Sequence, residues 1–130
     1  MSWQRLDHLS IIIVDDNEDI RTAISGFLSS LGAHVGASAS ADSALAAIKQ
    51  VPPDLVFSDI SMPGKDGVSL LREIRALDPA RGGSVPVIAL TGVGTGLNSR
   101  KAREIGFTML LLKPFTPHDL LRAISELNLG

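Results

Sequence analysis

Cysteine is absent from the whole chain, which excludes disulfides, thiolate metal sites and a cysteine nucleophile. No apolar run reaches 18 residues and no signal-peptide pattern opens the sequence, so a cytoplasmic protein without a membrane span is expected. Little excess of either charge sign is present. The net charge of −2 leaves no global basic field, so neither DNA nor RNA is expected as a partner. What remains is 130 residues that are 45% apolar and 20% charged, the balance of a globular protein. A chain of that length fits one domain and can bury roughly two-thirds of its unfolded surface. No internal repeat, linker or second domain is visible.

The chain is organised around Ser10-Ile11-Ile12-Ile13-Val14-Asp15-Asp16-Asn17. Four β-branched residues in succession, bounded by turn formers, suit a strand buried on both faces. Asp15 and Asp16 then stand at its carboxyl end, the edge where open α/β sheets bind ligands. Two carboxylates 4 Å apart repel by about 4 kcal/mol at an effective dielectric near 20. A cation should offset that cost.

The rest of the sequence alternates helix and strand signals. Ile20, Ala23, Ile24, Phe27, Leu28 and Leu31 recur at helical spacing, with Asn17 as N-cap and Gly32 as stop. A short strand is expected over 34–37, then a helix marked by Ala44, Leu45 and Ile48, capped by Ser40 and ended by Pro52-Pro53. Leu55 to Ser58 reads as a strand with Asp59 at its end, followed by a turn-rich loop over 60–67. Val68, Leu71, Ile74 and Leu77 give a helix stopped by Asp78-Pro79. Residues 80–84 read as a polar connection into a strand over 85–90, with Thr91 at its end. The loop Gly92-Val93-Gly94-Thr95-Gly96 precedes a weakly amphipathic helix over about 97–105, which Gly106 ends. Met109 to Leu112 forms a strand carrying Lys113, then Pro114. Thr116-Pro117-His118-Asp119 has the form of a helix start. Leu120, Leu121, Ile124 and Leu127 supply that helix's buried face.

Five βα units with helical crossovers predict an α/β fold: a single doubly wound, flavodoxin-like (βα)5 domain with a parallel sheet in the order 2-1-3-4-5. Residues 1–8, which show no periodicity, read as an N-terminal tail docking against it. In a parallel sheet, Asp15, Asp16, Asp59, Thr91 and Lys113 converge on one edge. The charged groups sum to −2, which one divalent cation neutralises. Oxygen ligands without nearby His or Cys favour Mg²⁺, with Mn²⁺ as substitute. Asp59 is then a candidate nucleophile toward phosphorus, with Lys113 and Thr91 stabilising charge on phosphoryl oxygens. Each residue alone has a plainer reading: acids begin helices, threonines turn chains and lysines sit in solvent. The constellation carries the inference.

The segments IIIVDDNED at 11–19, DLVFSDISMPGKDG at 54–67, VIALTG at 87–92 and LLKPF at 111–115 resemble the receiver domain of two-component response regulators (the CheY-like domain). The resemblance covers Leu9 to Leu127, and residues 9–130 are taken as the receiver domain. It implies that Asp59 accepts phosphate from a phosphohistidine on a sensor histidine kinase or histidine phosphotransfer protein. It also implies that Asp16 and Asp59 contact Mg²⁺ directly, Asp15 through water, and Ser61 through its backbone carbonyl. Thr91 would swing toward the phosphate, Lys113 would pair with it, and the Lys113–Pro114 bond would be cis. Helix 4, strand 5 and helix 5 would form the face for a downstream target, in a monomer or a phosphorylation-dependent dimer. Such a module is not an enzyme on metabolites, and catalyses only its own phosphorylation and slow dephosphorylation. With no effector after the last helix, a stand-alone regulator or the receiver of a hybrid sensor kinase is expected. SDISMP resembles the wording of hybrid-kinase receivers.

Two positions depart from or tune that pattern. Receivers usually carry Tyr or Phe three residues before the final lysine, as a rotamer relay; here Leu110 stands there. Output is therefore expected to run through shifts over residues 92–106. Ser61 and Val93, two past the phosphoacceptor and two past the threonine, are poorly suited to orient an attacking water, which implies slow self-dephosphorylation. Competing classes fit less well. A phosphatase of the haloacid-dehalogenase type would carry Asp-x-Asp after strand 1 and usually a cap domain. An FMN carrier would need a phosphate loop and an aromatic sandwich. The glycines at 92, 94 and 96 look superficially like a dinucleotide fingerprint but follow strand 4, not strand 1. His8, His34 and His118 lack metal-ligand spacing.

Overall fold

The computed structural model describes residues 4–92, 94–127 and 129. Its strands are β1 (Ser10–Val14), β2 (His34–Ser38), β3 (Leu55–Asp59), β4 (Val87–Thr91) and β5 (Met109–Leu112). The helices are α1 (Glu18–Ser30), α2 (Ala41–Gln50), α3 (Gly67–Arg75), α4 (Ser99–Ile105) and α5 (Pro117–Leu127). All neighbouring strands are parallel, in the order β2-β1-β3-β4-β5. The flavodoxin-like order read from the sequence is the order observed.

The apolar run of β1 is explained by its two buried faces. Ile11 and Ile13 enter a core with Leu28, Phe57, Leu90, Leu120 and Ile124. Ile12 and Val14 enter the opposite core with Ile48, Val56, Leu70, Ile74 and Ala89. Alternate residues feed opposite layers, so every position must be apolar. The helix caps follow the local chemistry. Asn17, Ser40 and Asp66 accept hydrogen bonds from Ile20, Ser43 and Ser69 at the starts of α1, α2 and α3. Thr116 and Asp119 cap α5 reciprocally, over 3.1 and 2.8 Å.

Boundaries differ from expectation where a backbone amide turns elsewhere. α4 starts at Ser99, because the Leu97 amide donates to the Thr95 hydroxyl and Asn98 caps the helix through the Lys101 amide. β4 starts at Val87, because the Val85 amide closes a turn onto the Gly82 carbonyl. α3 stops at Arg75, and residues 79–81 of the next connection form a 3-10 turn. Residues ahead of β1 also contribute: Leu6 is fully buried, and its amide donates to the Leu31 carbonyl over 2.8 Å.

Candidate functional site

Register brings the polar strand ends together. Val14 pairs with Ser58 and Asp59 with Leu90, so the chain leaves β1, β3 and β4 at one level of one edge. Thr91 pairs with Leu112, which puts Lys113 one residue beyond that edge. The Lys113–Pro114 peptide is cis. Gly67 fixes the loop after Asp59: its amide donates to the Ile60 carbonyl, and a Cβ there would collide with the Asp59 carbonyl oxygen.

One oxygen from each of Asp15, Asp16 and Asp59 lies within 4.8 Å of the others. Asp15 is fully buried, with one carboxylate oxygen accepting from the Asn17 amide at 2.9 Å and the other from Lys113 Nζ at 3.2 Å. Lys113 Nζ also lies 3.4 Å from Asp59. Asp16 is exposed, and its carboxylate meets no donor among the described residues. Burial and the Asp15 charge push the Asp59 carboxyl above its ordinary range, while Lys113 and the Ser61 amide pull it down. One ammonium therefore faces three carboxylates, and the excess negative charge, surrounded by oxygen donors, fits a hard divalent cation. Ser61 lines the same cavity of about 520 Å³, together with Asn17, Ile20, Gly92, Thr95 and Lys113.

Thr91 is placed differently. It is fully buried and does not line the cavity. Its hydroxyl oxygen sits 2.7 Å from that of Thr95 and 3.4 Å from the Gly92 carbonyl oxygen. Thr95, which carries no periodic or motif signal in the sequence, takes the cavity wall instead. Val93 lies outside the described residues. Leu110, half-buried, packs on the core that holds Ala102 and Phe107. Beside the acidic cavity and sharing Ile20 and Lys113 with it, an apolar groove is lined by Ala23, Ile24, Pro114 and Phe115.

The carboxyl edge of the parallel sheet thus gathers an acid triad and a lysine, an oxygen-rich site that suits a divalent cation. Comparison with known proteins agrees: the family model of the response regulator receiver domain matches residues 11–125, and the chain belongs to that family. It is a receiver domain of two-component systems, a signalling module and not a classical enzyme. Protein PilG of Pseudomonas aeruginosa is 32% identical over 121 residues, 93% of this chain and 88% of PilG. The C4-dicarboxylate transport transcriptional regulatory protein DctD of Rhizobium meliloti is 37% identical over 88% of this chain, which spans only 24% of DctD. The receiver domain of sensor histidine kinase PA1611 from Pseudomonas aeruginosa superposes with a TM-score of 0.80 at 32% identity, covering 91% of this chain and 95% of that one. That structure has a magnesium ion coordinated in its active-site cleft. Receiver domains bind Mg²⁺ at such an acidic site and interact with histidine kinases. No helix among the described residues is long and apolar enough to cross a membrane.

Proposed function

We propose that Asp59 is the phosphoacceptor, taking a phosphoryl group from a phosphohistidine on a sensor histidine kinase or histidine phosphotransfer protein. What supports the reading is the packing of Asp15, Asp16 and Asp59 around one point with Lys113 alongside. An Asp59 carboxylate oxygen attacks phosphorus; the new O–P bond forms as the N–P bond breaks, and its electron pair stays on the imidazole nitrogen. Lys113 moves from its carboxylate partners onto the phosphoryl oxygens, and the Thr91 hydroxyl turns in as a donor. Asp16 and Asp59 would hold Mg²⁺ directly, Asp15 through water and Ser61 through its backbone carbonyl, with Mn²⁺ as a substitute. Asp15 suits that outer role because both its oxygens already accept hydrogen bonds. Bound there, Mg²⁺ supplies positive charge that screens the carboxylates from the incoming phosphoryl group.

The domain is assigned to residues 9–130, with 1–8 as a tail whose Leu6 seals the core beside Leu31. A cytoplasmic location, as a stand-alone regulator or within a hybrid kinase, suits this role. The downstream target is assigned to the α4–β5–α5 face, on a monomer or a phosphorylation-dependent dimer. Ser61 beside Asp59, with Val93, makes the phosphoryl group long-lived; Ser61→Asn with Val93→Glu should shorten its lifetime. The test of the assignment is intact mass after incubation with acetyl phosphate and Mg²⁺. One phosphoryl adduct is expected, lost with EDTA and lost in Asp59→Asn. Steady hydrolysis of a generic phosphomonoester would instead favour the phosphatase reading.

A further inference from the structure

Thr91 and Thr95 form a hydroxyl pair that links the site to the start of α4. The two oxygens lie 2.7 Å apart, and Thr95 Oγ1 also accepts from the Leu97 amide at 3.3 Å. Leu97 immediately precedes Asn98, the N-cap of α4, whose side chain accepts from the Lys101 amide at 2.8 Å. A continuous chain of hydrogen bonds and backbone therefore runs from the fully buried Thr91 to the helix. Gly94 and Gly96 flank Thr95 at φ of +96° and +74°, and a Cβ on either would meet nothing within 4 Å. Left-handed backbone in open space lets Thr95 move without dragging packed side chains.

We propose that Thr95 is a positioning residue that holds Thr91 turned away from Asp59 and relays the release of Thr91 to α4. This deepens the phosphoacceptor reading and rests on it. When Thr91 turns toward the phosphoryl oxygens, the Thr95 hydroxyl loses its 2.7 Å partner. The Gly92 carbonyl oxygen at 3.5 Å is then the one acceptor left for the Thr95 hydroxyl among the described residues, so Thr95 swings toward it and takes the Leu97 amide, which donates to the same hydroxyl, with it. The relay works through hydroxyls, which explains how a chain with Leu110 in place of an aromatic rotor transmits the change.

The test compares wild type, Thr95→Val and Thr95→Ser by amide NMR before and after acetyl phosphate with Mg²⁺, alongside the rate of adduct formation by intact mass. Thr95→Val keeps the shape and removes the hydroxyl; its thermal midpoint checks folding. The expected result has three parts. Thr95→Val gains the adduct about threefold to tenfold faster, the change in rate for loss of one hydrogen bond. Its Leu97 to Lys101 amides move less on phosphorylation than in wild type. Thr95→Ser restores both behaviours. Equal rates and equal α4 shifts in wild type and Thr95→Val would overturn the relay, as would a Thr95→Ser variant that behaves like Thr95→Val. Failure of the underlying reading is distinct: wild type itself would then take up no phosphoryl group.

Discussion

Replacing Asp59 with Asn should stabilise the metal-free protein. The side chain is 9% exposed, and oxygens of Asp15 and Asp16 lie within 4.8 Å of it. At an effective dielectric near 20, a carboxylate at that limit repels Asp59 by about 3.5 kcal/mol, less for the solvent-screened Asp16. Lys113 at 3.4 Å attracts it by about 5 kcal/mol on the same scale. The Coulomb contributions come close to cancelling and leave the desolvation of a buried carboxylate uncompensated. Asn removes that cost, and Lys113 keeps Asp15 at 3.2 Å, so no ammonium is orphaned. The expected gain is about 1–2 kcal/mol, or roughly 3–8 °C in Tm for a domain of this size. Urea unfolding in EDTA measures it. Millimolar Mg²⁺ should then stabilise wild type and do far less for the variant. The wild type also carries a pH signature. Its raised Asp59 pKa means the native state binds the proton more tightly, so metal-free stability falls as pH rises from 3.8 through the folded-state value. A variant less stable than wild type in EDTA, or equal stabilisation of both proteins by Mg²⁺, would refute this electrostatic reasoning.

Other parts of the molecule give independent tests. The half-buried Arg75 guanidinium donates to the carbonyls of Gly83, Val85 and Gly106, so Arg75→Leu should cost about 2–3 kcal/mol in urea unfolding. Gly67→Ala drives a methyl group into the Asp59 carbonyl and should cost about 1–3 kcal/mol while weakening Mg²⁺ binding by titration calorimetry. The Thr116 backbone hydrogen bond holds the Asp119 carboxyl below its ordinary 3.8, so its stabilisation is present above that value and is lost as pH falls through the depressed one. Amide exchange at the start of α5 should accelerate across that window, and Asp119→Ala should abolish the dependence.

The sequence made most of this legible for identifiable reasons. A strand buried on both faces must be apolar throughout, so the run 11–14 announced β1, and a parallel sheet delivers every strand's carboxyl end to one edge. Asp15, Asp16, Asp59 and Lys113 could therefore be grouped without coordinates. Thr91 could be assigned to the edge but not oriented, because its rotamer depends on Thr95, in a loop without periodicity. Arg75 was illegible for a related reason: it reads as a solvated helix charge until three carbonyls from two other segments, residues 83–85 and Gly106, are seen around it. Leu6 belongs to a stretch too short to show a period, yet it is fully buried because its amide is tied to Leu31.

Carriage of the phosphoryl group by Asp59 itself is the step on which the proposed function rests. Its most direct test is borohydride reduction of the acetyl-phosphate-treated protein followed by peptide mapping, since reduction converts an aspartyl phosphate to homoserine. Homoserine at position 59 alone, dependent on Mg²⁺, is the predicted result. Homoserine at 15 or 16, or a borohydride-resistant phosphate on a serine or threonine, would contradict it.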